Sequence, residues 1–375
     1  MSVKYKKLGE IVELIDERNK ALESSEVLGI SIDKEFMPSV ANTIGTDLSN
    51  YKLLRMNTFA CNPMHVGRDE RLPVSLYKKD IPAIVSPAYF MFRVKEENKV
   101  LPDFLMLIFK RDDFDRNCWF RTDGSVRGGI TWNDICEIKF PVPDLKEQEK
   151  IVNTYKVITK RIQLKQKINE NLEKMAQYLF ENVFKHELQK EEISFTDVID
   201  LLGGGTPSTA EKAYWSGNIP FFAPADIDKS VYCFKTEKTL TEEGLDNCSS
   251  KLYPKNTTFV TCRGTVGKLA LAGTPMAMNQ SCYALKDKNG KYPFFTYSFS
   301  KFAVSKLKNK ASGAVFSALV TRDFEMEKVF EPSLEKMKEY ETKAFSIFEN
   351  ISSNEKEIIN LHSLRQIVIS RISGM

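Results

Sequence analysis

The sequence lacks the residue spacings that build metal sites and disulfide frameworks. Its seven cysteines include no Cys-x-x-Cys pair, and its three histidines, His65, His186 and His362, lie far apart in the chain. Structural zinc sites need closely spaced Cys and His ligands, so no metal centre is predicted, and nothing marks a nucleophile with a neighbouring base. Thiols without a pairing pattern are typical of a reducing compartment, and we expect a cytoplasmic protein.

Long apolar runs and a strong charge of one sign are also missing. The best apolar run, residues 104–109, is far shorter than the roughly 20 residues that a membrane helix needs. No apolar segment follows the lysines near the N-terminus, so no signal peptide is expected. The formal charge of +4, from 54 basic and 50 acidic residues, is too mild to indicate nucleic-acid binding by itself.

What the sequence does contain is an internal repeat in a chain of 375 residues, which is too long for one core of about 250 to 300 residues. Three landmarks of the first half recur at one constant offset: Gly124 as Gly313, Asp134 as Asp323, and Pro143 as Pro332. With small gaps, Phe59-Ala60 also matches Phe259-Val260, Val66-Gly67-Arg68 matches Val266-Gly267-Lys268, and residues 85–92 match residues 278–285. The repeat predicts two similar globular domains of mixed α/β (α+β) structure.

Each repeat ends in a long helical segment. Residues 144–190 and 332–375 contain almost no helix-breaking residue, and apolar side chains recur in both every three or four positions. Asp144 with Glu147 fits a capping box directly after Pro143. Helices of about 40 residues would be near 60 Å long and need a partner, which favours an antiparallel coiled-coil pair. The predicted order is domain 1–143, helix 144–190, domain 191–331 and helix 332–375, with pseudo-twofold repetition.

The second half opens with a distinctive pattern. A Gly203-Gly204-Gly205-Thr206-Pro207-Ser208 turn is followed by Tyr214-Trp215-Ser216-Gly217-Asn218-Ile219-Pro220 and then by Asp226. This block resembles the target-recognition domain of type I restriction-modification specificity subunits. The first half resembles another branch of that family through Leu28-Gly29-Ile30-Ser31, Val85-Ser86-Pro87-Ala88-Tyr89, Gly124-Ser125-Val126-Arg127 and the Pro141-Val142-Pro143 hinge. The second hinge, Glu331-Pro332-Ser333, departs from the pattern because it lacks the Glu147-Gln148 pair of the first.

The resemblance implies a DNA-reading subunit without catalytic chemistry of its own. Each domain would read one half of a bipartite site in double-stranded DNA, and the helices would set the spacer. Partner modification subunits would carry S-adenosylmethionine and methylate adenine, and restriction subunits would translocate and cut DNA with ATP and Mg²⁺. No cofactor, metal or catalytic residue is predicted in this chain.

Candidate DNA contacts are cations and hydroxyls in glycine-rich loops, where backbone can approach a ligand closely. Those of the first domain are Arg68, Arg71, Arg121, Ser125 and Arg127, and those of the second are Thr206, Ser208, Arg263, Thr265 and Lys268. Nearby aromatic residues, Tyr214, Trp215, Phe221 and Phe222, fit a core wedge better than a base-stacking platform.

Three parts of the sequence pattern also fit other interpretations. Gly264-Thr265-Val266-Gly267-Lys268-Leu269 looks like half of a phosphate-binding loop, but the full spacing and the hydroxyl residue after the lysine are missing. Asp103, Glu137 and Lys139 could imitate a nuclease's acidic pair and lysine, although their separation is long. The alternative from a different class is a coiled-coil scaffold that binds two proteins and no specific DNA, which predicts no steep salt dependence of DNA affinity.

Overall fold

The computed structural model describes residues 4–40, 45–64, 66–122, 128–190, 193–310 and 318–373, apart from the side chains of Lys310 and Ser373. The chain forms two compact units, Met1–Arg161 with Leu361–Met375, and Ile162–Asn360. Each unit contains one globular domain and one paired section of two long helices. Within the described residues, no helix is long and apolar enough to cross a membrane.

The described residues of the first unit form ten short strands and five short α-helices besides the long helices. The strands are β1 (Lys4–Lys7), β2 (Val12–Ile15), β3 (Val27–Ile30), β4 (Phe36–Pro38), β5 (Lys52–Leu54), β6 (Phe59–Cys61), β7 (Val74–Leu76), β8 (Ala83–Val85), β9 (Phe90–Val94) and β10 (Lys139–Val142). The helices are α1 (Leu8–Ile11), α2 (Val66–Asp69), α3 (Pro102–Phe109), α4 (Asp112–Phe120) and α5 (Trp132–Cys136).

These strands form three sheets, ordered β2-β9-β6-β7, β4-β3-β8-β5 and β1-β10. The first sheet packs its apolar face on the short helices: the rings of Phe59 and Phe92 stack with centroids 5.0 Å apart, and Phe109 of α3 meets Phe59 edge-on at 5.5 Å. Ile151 and Ile372 of the two long helices belong to the same core. The helix section of this unit is therefore part of the domain's hydrophobic core.

The long helices are α6 (Leu145–Val183) and α11 (Leu334–Ser373). Asp144 caps α6 by accepting a hydrogen bond from the Glu147 backbone N–H at 2.9 Å, as its spacing predicts. Inside the second unit, the Tyr340 hydroxyl donates to the Ala176 carbonyl at 3.2 Å, and the Asn354 amide donates to Asn169 at 2.8 Å. Partner numbers rise on one helix as they fall on the other, so this section is antiparallel, in agreement with the predicted coiled-coil pair.

The second unit repeats the plan with elements of different length. Its strands are β11 (Ile193–Ser194), β12 (Ile199–Gly203), β13 (Trp215–Phe222), β14 (Tyr232–Cys233), β15 (Lys238–Leu240), β16 (Thr258–Thr261), β17 (Leu269–Ala272), β18 (Ala277–Met278), β19 (Cys282–Asp287) and β20 (Lys328–Val329). Its helices are α7 (Phe195–Val198), α8 (Glu242–Asp246), α9 (Pro293–Lys310) and α10 (Thr321–Met326).

The strand orders confirm the internal repeat. The sheet β12-β19-β16-β17-β14 of the second unit has the order of β2-β9-β6-β7 with one strand added, and the pair β11-β20 corresponds to β1-β10. Local capping repeats too: Asp134 accepts from Thr131 at the start of α5, and Asp323 accepts from the Val320 backbone N–H at 2.8 Å at the start of α10. The two domains therefore share one architecture.

One sequence correspondence is wrong by one residue. Phe59 faces the helices in the core that contains Phe92 and Phe109, whereas Phe259 lies on the opposite face of its sheet with Phe222 and Tyr253. Side chains alternate between the faces of a strand, so a shift of one residue reverses every side chain. By sheet face, Ala60 corresponds to Phe259 and Cys61 to Val260.

The second hinge replaces the missing Glu-Gln pair with a residue farther along its helix. In the first unit the buried Gln148 side chain accepts from the Leu101 backbone N–H at 2.9 Å, at the start of α3. In the second unit Glu341 accepts from the backbone N–H groups of Phe294 and Phe295, at the start of α9. Burial raises the pKa of Glu341 to about 7. In both units, a polar side chain of the long helix therefore accepts hydrogen bonds from backbone N–H groups at the start of a domain helix.

Candidate nucleic-acid interface

The loop between β16 and β17 presents three of the predicted contacts together. Gly264 and Gly267 adopt left-handed backbone conformations, with φ of 75° and 71°. The buried Thr261 ties the loop down, because its hydroxyl donates to the Thr265 carbonyl and accepts from the Lys268 backbone N–H at 3.0 Å. With the backbone held in this way, the side chains of Arg263, Thr265 and Lys268 are exposed.

The glycines of the Gly-Gly-Gly-Thr-Pro-Ser turn have an internal packing role. A Cβ on Gly204 would lie 2.2 Å from the Asn279 carbonyl oxygen, and one on Gly205 would lie 2.2 Å from the Ser249 hydroxyl. The turn is therefore pressed against its own domain. Thr206 is exposed and its hydroxyl donates to the Gln280 side chain, while the Ser208 carbonyl accepts from the Trp215 indole N–H at 3.0 Å.

The turn and the loop border the same short segment, residues 278–281. The Gly205 backbone N–H donates to the Met278 carbonyl at 3.2 Å, and the Cys262 backbone N–H donates to the Ser281 carbonyl at 2.8 Å. The structure therefore brings Thr206 into the neighbourhood of the loop that carries Arg263. Ser208 lies farther along the turn, against Trp215.

The aromatic residues after the turn pack into the domain. Phe221 and Phe222 are buried, and Phe222 stacks on Phe259 with ring centroids 4.7 Å apart. Trp215 meets Phe221 edge-on at 5.5 Å. This arrangement fits the wedge predicted from the sequence, since rings engaged in the core are not free to stack on bases.

A groove beside this loop contains cations that the sequence alone did not single out. It has a volume of about 360 Å³ and lies between α9, the β16–β17 loop and residues 227–231. Lys229, Lys301 and Lys308 line it together with Lys268. Lys301 and Lys308 are seven residues apart on α9, which places them on one helix face, but only the tertiary fold brings that face to Lys268.

The predicted contacts of the first domain are more dispersed. Arg68, on α2, is exposed and forms an ion pair with Asp69 at 2.7 Å, and that carboxylate raises the pKa of Arg68. Arg71 lies 3.7 Å from Asp33, and Arg121 caps the end of α4. Ser125 and Arg127 lie outside the described residues.

A buried ion pair supports the region around Arg71. Lys34 Nζ lies 2.7 Å from Asp115 Oδ1, and the same carboxylate oxygen accepts from the Leu72 backbone N–H at 3.1 Å. Burial lowers the pKa of Lys34 and raises that of Asp115, because each charge has lost its water. Asp115 of α4 thus connects Lys34, in the β3–β4 hairpin, with Leu72, the residue that follows Arg71.

No catalytic constellation is found among the described residues. They contain no group of three or more His, Cys, Asp or Glu side chains that could hold a metal ion. Burial raises the pKa of the thiols of Cys61, Cys233 and Cys262 to about 12, which disfavours the nucleophilic thiolate. The Gly264–Lys268 segment joins two antiparallel strands instead of opening a helix, unlike a nucleotide phosphate-binding loop.

Comparisons with known proteins agree on one family. The family model described as the type I restriction modification DNA specificity domain matches residues 2–174 and 188–363. The MjaIX specificity subunit of Methanocaldococcus jannaschii is 30% identical over 165 residues, which cover 43% of this chain and 38% of that protein. The HindI specificity subunit of Haemophilus influenzae is 22% identical, with 78% of this chain and 81% of the relative covered.

A solved structure shares the fold. The crystal structure of the type I restriction-modification S subunit from M. genitalium superimposes with a TM-score of 0.59 at 14% sequence identity. The superposition covers 99% of this chain and 96% of that one. Both halves of the chain, with their helices, are therefore accounted for by one known architecture.

Proposed function

The chain belongs to the type I restriction-modification DNA specificity family, and on this premise we propose that each of its two domains binds one half of a bipartite DNA site. In this family the specificity subunit recognises DNA, and catalysis lies on other subunits. The first recognition domain is the globular part of the first unit, and the second recognition domain is that of the second unit. The expected absence of catalytic chemistry in this chain agrees with the family.

The observation that carries the proposal is the duplication of one domain architecture on paired helices. Two similar readers in one chain suit a target with two separate half-sites. Because the loops of the two domains differ in sequence, the half-sites would differ as well. We propose Arg68, Arg71, Arg121, Ser125 and Arg127 as contacts of the first domain, and Thr206, Ser208, Arg263, Thr265 and Lys268 as contacts of the second.

An apolar stripe on α6 supports docking of a methyltransferase subunit. Leu164, Ile168, Met175 and Tyr178 are between 46% and 68% exposed. At 3.6 residues per turn they fall within an arc of about 80° on one side of the helix. The face that contains Ala176 and Phe180 is already buried in the second unit. A second apolar face on a helix marks an interaction surface, and we propose that a modification subunit covers it.

The remaining partners follow from the family. Restriction subunits would join the same complex, and S-adenosylmethionine, ATP and Mg²⁺ would bind to the partner subunits and not to this chain. The rival interpretation, a coiled-coil scaffold without specific DNA recognition, is not favoured by the family match over both halves.

The function is tested by co-expressing the chain with its genome-adjacent methyltransferase and mapping methylated adenines by single-molecule sequencing. We expect one bipartite motif with a fixed gap, lost when this chain is deleted. In parallel, DNA affinity of the purified complex should fall steeply with salt, because phosphate contacts release counterions. Methylation that is indifferent to this chain, with salt-insensitive binding, would restore the scaffold interpretation.

The docking stripe gives a separate prediction. The triple variant L164Q/I168Q/M175Q should weaken association with the methyltransferase subunit more than tenfold, because three apolar side chains lose their burial. Isothermal titration calorimetry on the purified subunits measures this. Gln163→Ala is the matched control, since Gln163 is exposed on another face of the same helix. Unchanged affinity of the triple variant would remove the stripe from the interface.

A further inference from the structure

The groove beside the β16–β17 loop is lined by four separate parts of the second unit, one of which is Glu173 of α6. One wall is a face of α9 that carries Tyr297, Lys301, Val304 and Lys308. The opposite side is formed by Gly267, Lys268 and Leu269 of the loop, together with residues 227–231. Helix α9 and the loop are directly joined, because Lys308 Nζ donates to the Gly267 carbonyl at 2.7 Å.

The charge in the groove is mainly positive. Among the described lining residues, the cations are Lys229, Lys268, Lys301 and Lys308, and the carboxylates are Glu173 and Asp228. Glu173 is already engaged, since Lys301 Nζ lies 2.5 Å from one of its oxygens and the Tyr297 hydroxyl donates to the same oxygen at 3.3 Å. Asp228 is then the one remaining carboxylate among the described lining residues, against Lys229, Lys268 and Lys308, so the groove keeps an excess of positive charge.

The Lys308 ammonium lies beside the residue that precedes Lys268, since it donates to the Gly267 carbonyl at 2.7 Å. Burial lowers the pKa of the Lys308 ammonium, and the neighbouring charge of Lys268 lowers it further. Like charges in proximity create a potential that an anion relieves. Because Lys308 is anchored on the Gly267 carbonyl, its ammonium is positioned before any ligand arrives.

We propose that this groove binds a backbone phosphate of the DNA half-site read by the second recognition domain. The inference rests on the proposed function, which supplies DNA as the ligand. Ammonium groups act on phosphate as point charges, whereas the planar guanidinium of Arg and the amides of Asn and Gln form two directed hydrogen bonds to a base edge. Among the described lining residues, Asn309 is the single side chain of those three types. The groove therefore positions the domain on DNA, and base reading falls to other residues.

The experiment measures the DNA affinity of the complex of this chain with its methyltransferase subunits. It compares the unmodified complex with the double variant K229Q/K268Q, which leaves the hydrogen bond from Lys308 to the Gly267 carbonyl intact. The magnitude of the slope of log affinity against log salt should fall by about 1 to 2, which corresponds to one or two lost phosphate contacts. Affinity at physiological salt should drop several-fold, and by the same factor on the cognate site and on a site with the second half-site scrambled. K229R/K268R should restore binding.

The control K212Q/K251Q removes the same charge from exposed positions of the second domain that do not line the groove, and it should leave the slope nearly unchanged. An unchanged slope in K229Q/K268Q overturns the proposal. A loss confined to the cognate second half-site overturns it as well, because the lysines would then read bases. Saturable binding of inorganic phosphate that does not compete with DNA would assign the groove to a free anion instead.

These outcomes are separable from failure of the proposed function. If the unmodified complex does not discriminate the cognate site from the scrambled one, specific recognition fails whatever the slope. If the unmodified complex discriminates the two sites and K229Q/K268Q retains the full salt slope of its DNA affinity, only the proposal of a phosphate-binding groove fails.

Discussion

Inserting seven residues after Arg161 in α6 and seven after Asn360 in α11 should lengthen the DNA spacer by about 3 base pairs and leave both half-sites unchanged. Seven helical residues add about 10.5 Å, and one base pair rises about 3.4 Å. The insertions fall at the boundaries between the two compact units, so each unit keeps its own contacts. Mapped methylation motifs of the variant measure the spacer directly.

A heptad is the appropriate insertion because it nearly preserves the rotational phase of the apolar stripe. The polar layer in the helix pair, where Lys165 donates to Asn354 at 2.7 Å and Asn354 donates to Asn169 at 2.8 Å, lies wholly within the second unit and is undisturbed. A heptad in α6 alone is the control, and it should abolish the motif because the helices no longer match in length. Altered half-sites with an unchanged spacer would refute the prediction that the long helices set the spacer length.

Phe180→Ala should destabilise the second unit by about 3 to 5 kcal/mol, a large part of the stability of an ordinary domain. Phe180 has no exposed surface, and its ring packs near those of Phe184 and Tyr340 at centroid distances of 5.0 and 5.5 Å. The substitution leaves a cavity where α6, α11 and the domain share one core. Urea unfolding followed by hydrogen exchange of the backbone amides of residues 162–360 reports on this unit.

Tyr178→Ala is the matched control, two residues earlier on the same helix and 68% exposed. Its unfolding midpoint should change little. The first unit should keep its own midpoint in Phe180→Ala, followed by hydrogen exchange of its backbone amides. A loss below about 1 kcal/mol would mean that the aromatic cluster can collapse around the deletion and is not the centre of this core.

The C-terminal end of α6 differs from the end that local sequence patterns predict. The absence of helix-breaking residues favours a helix through residue 190, yet α6 ends at Val183. The next residue, Phe184, is fully buried in the domain core, and Lys336 of α11 pairs with Glu187 at 2.6 Å. These are tertiary contacts, and helix propensity alone does not describe them.

The candidate interface, too, was only partly predictable from local sequence patterns. The glycine pattern at positions 264 and 267 identifies the β16–β17 loop, and the structure leaves Arg263 and Lys268 exposed, while their contact with DNA stays a prediction. The lysines of α9 and of residues 227–231 carry no motif. Their approach to Lys268 depends on long-range packing of α9 against the sheet, so sequence spacing could not reveal the groove.

The sequence by itself determined the repeat, the two long amphipathic helices and the family, because periodicity and motif spacing are local and survive divergence. Only the tertiary structure decided which face Phe59 and Phe259 occupy, how Glu341 replaces the missing hinge pair, and which lysines share a groove. Those features arise from contacts between residues tens to hundreds of positions apart, and a contact of that range is selected by the packing of the whole core.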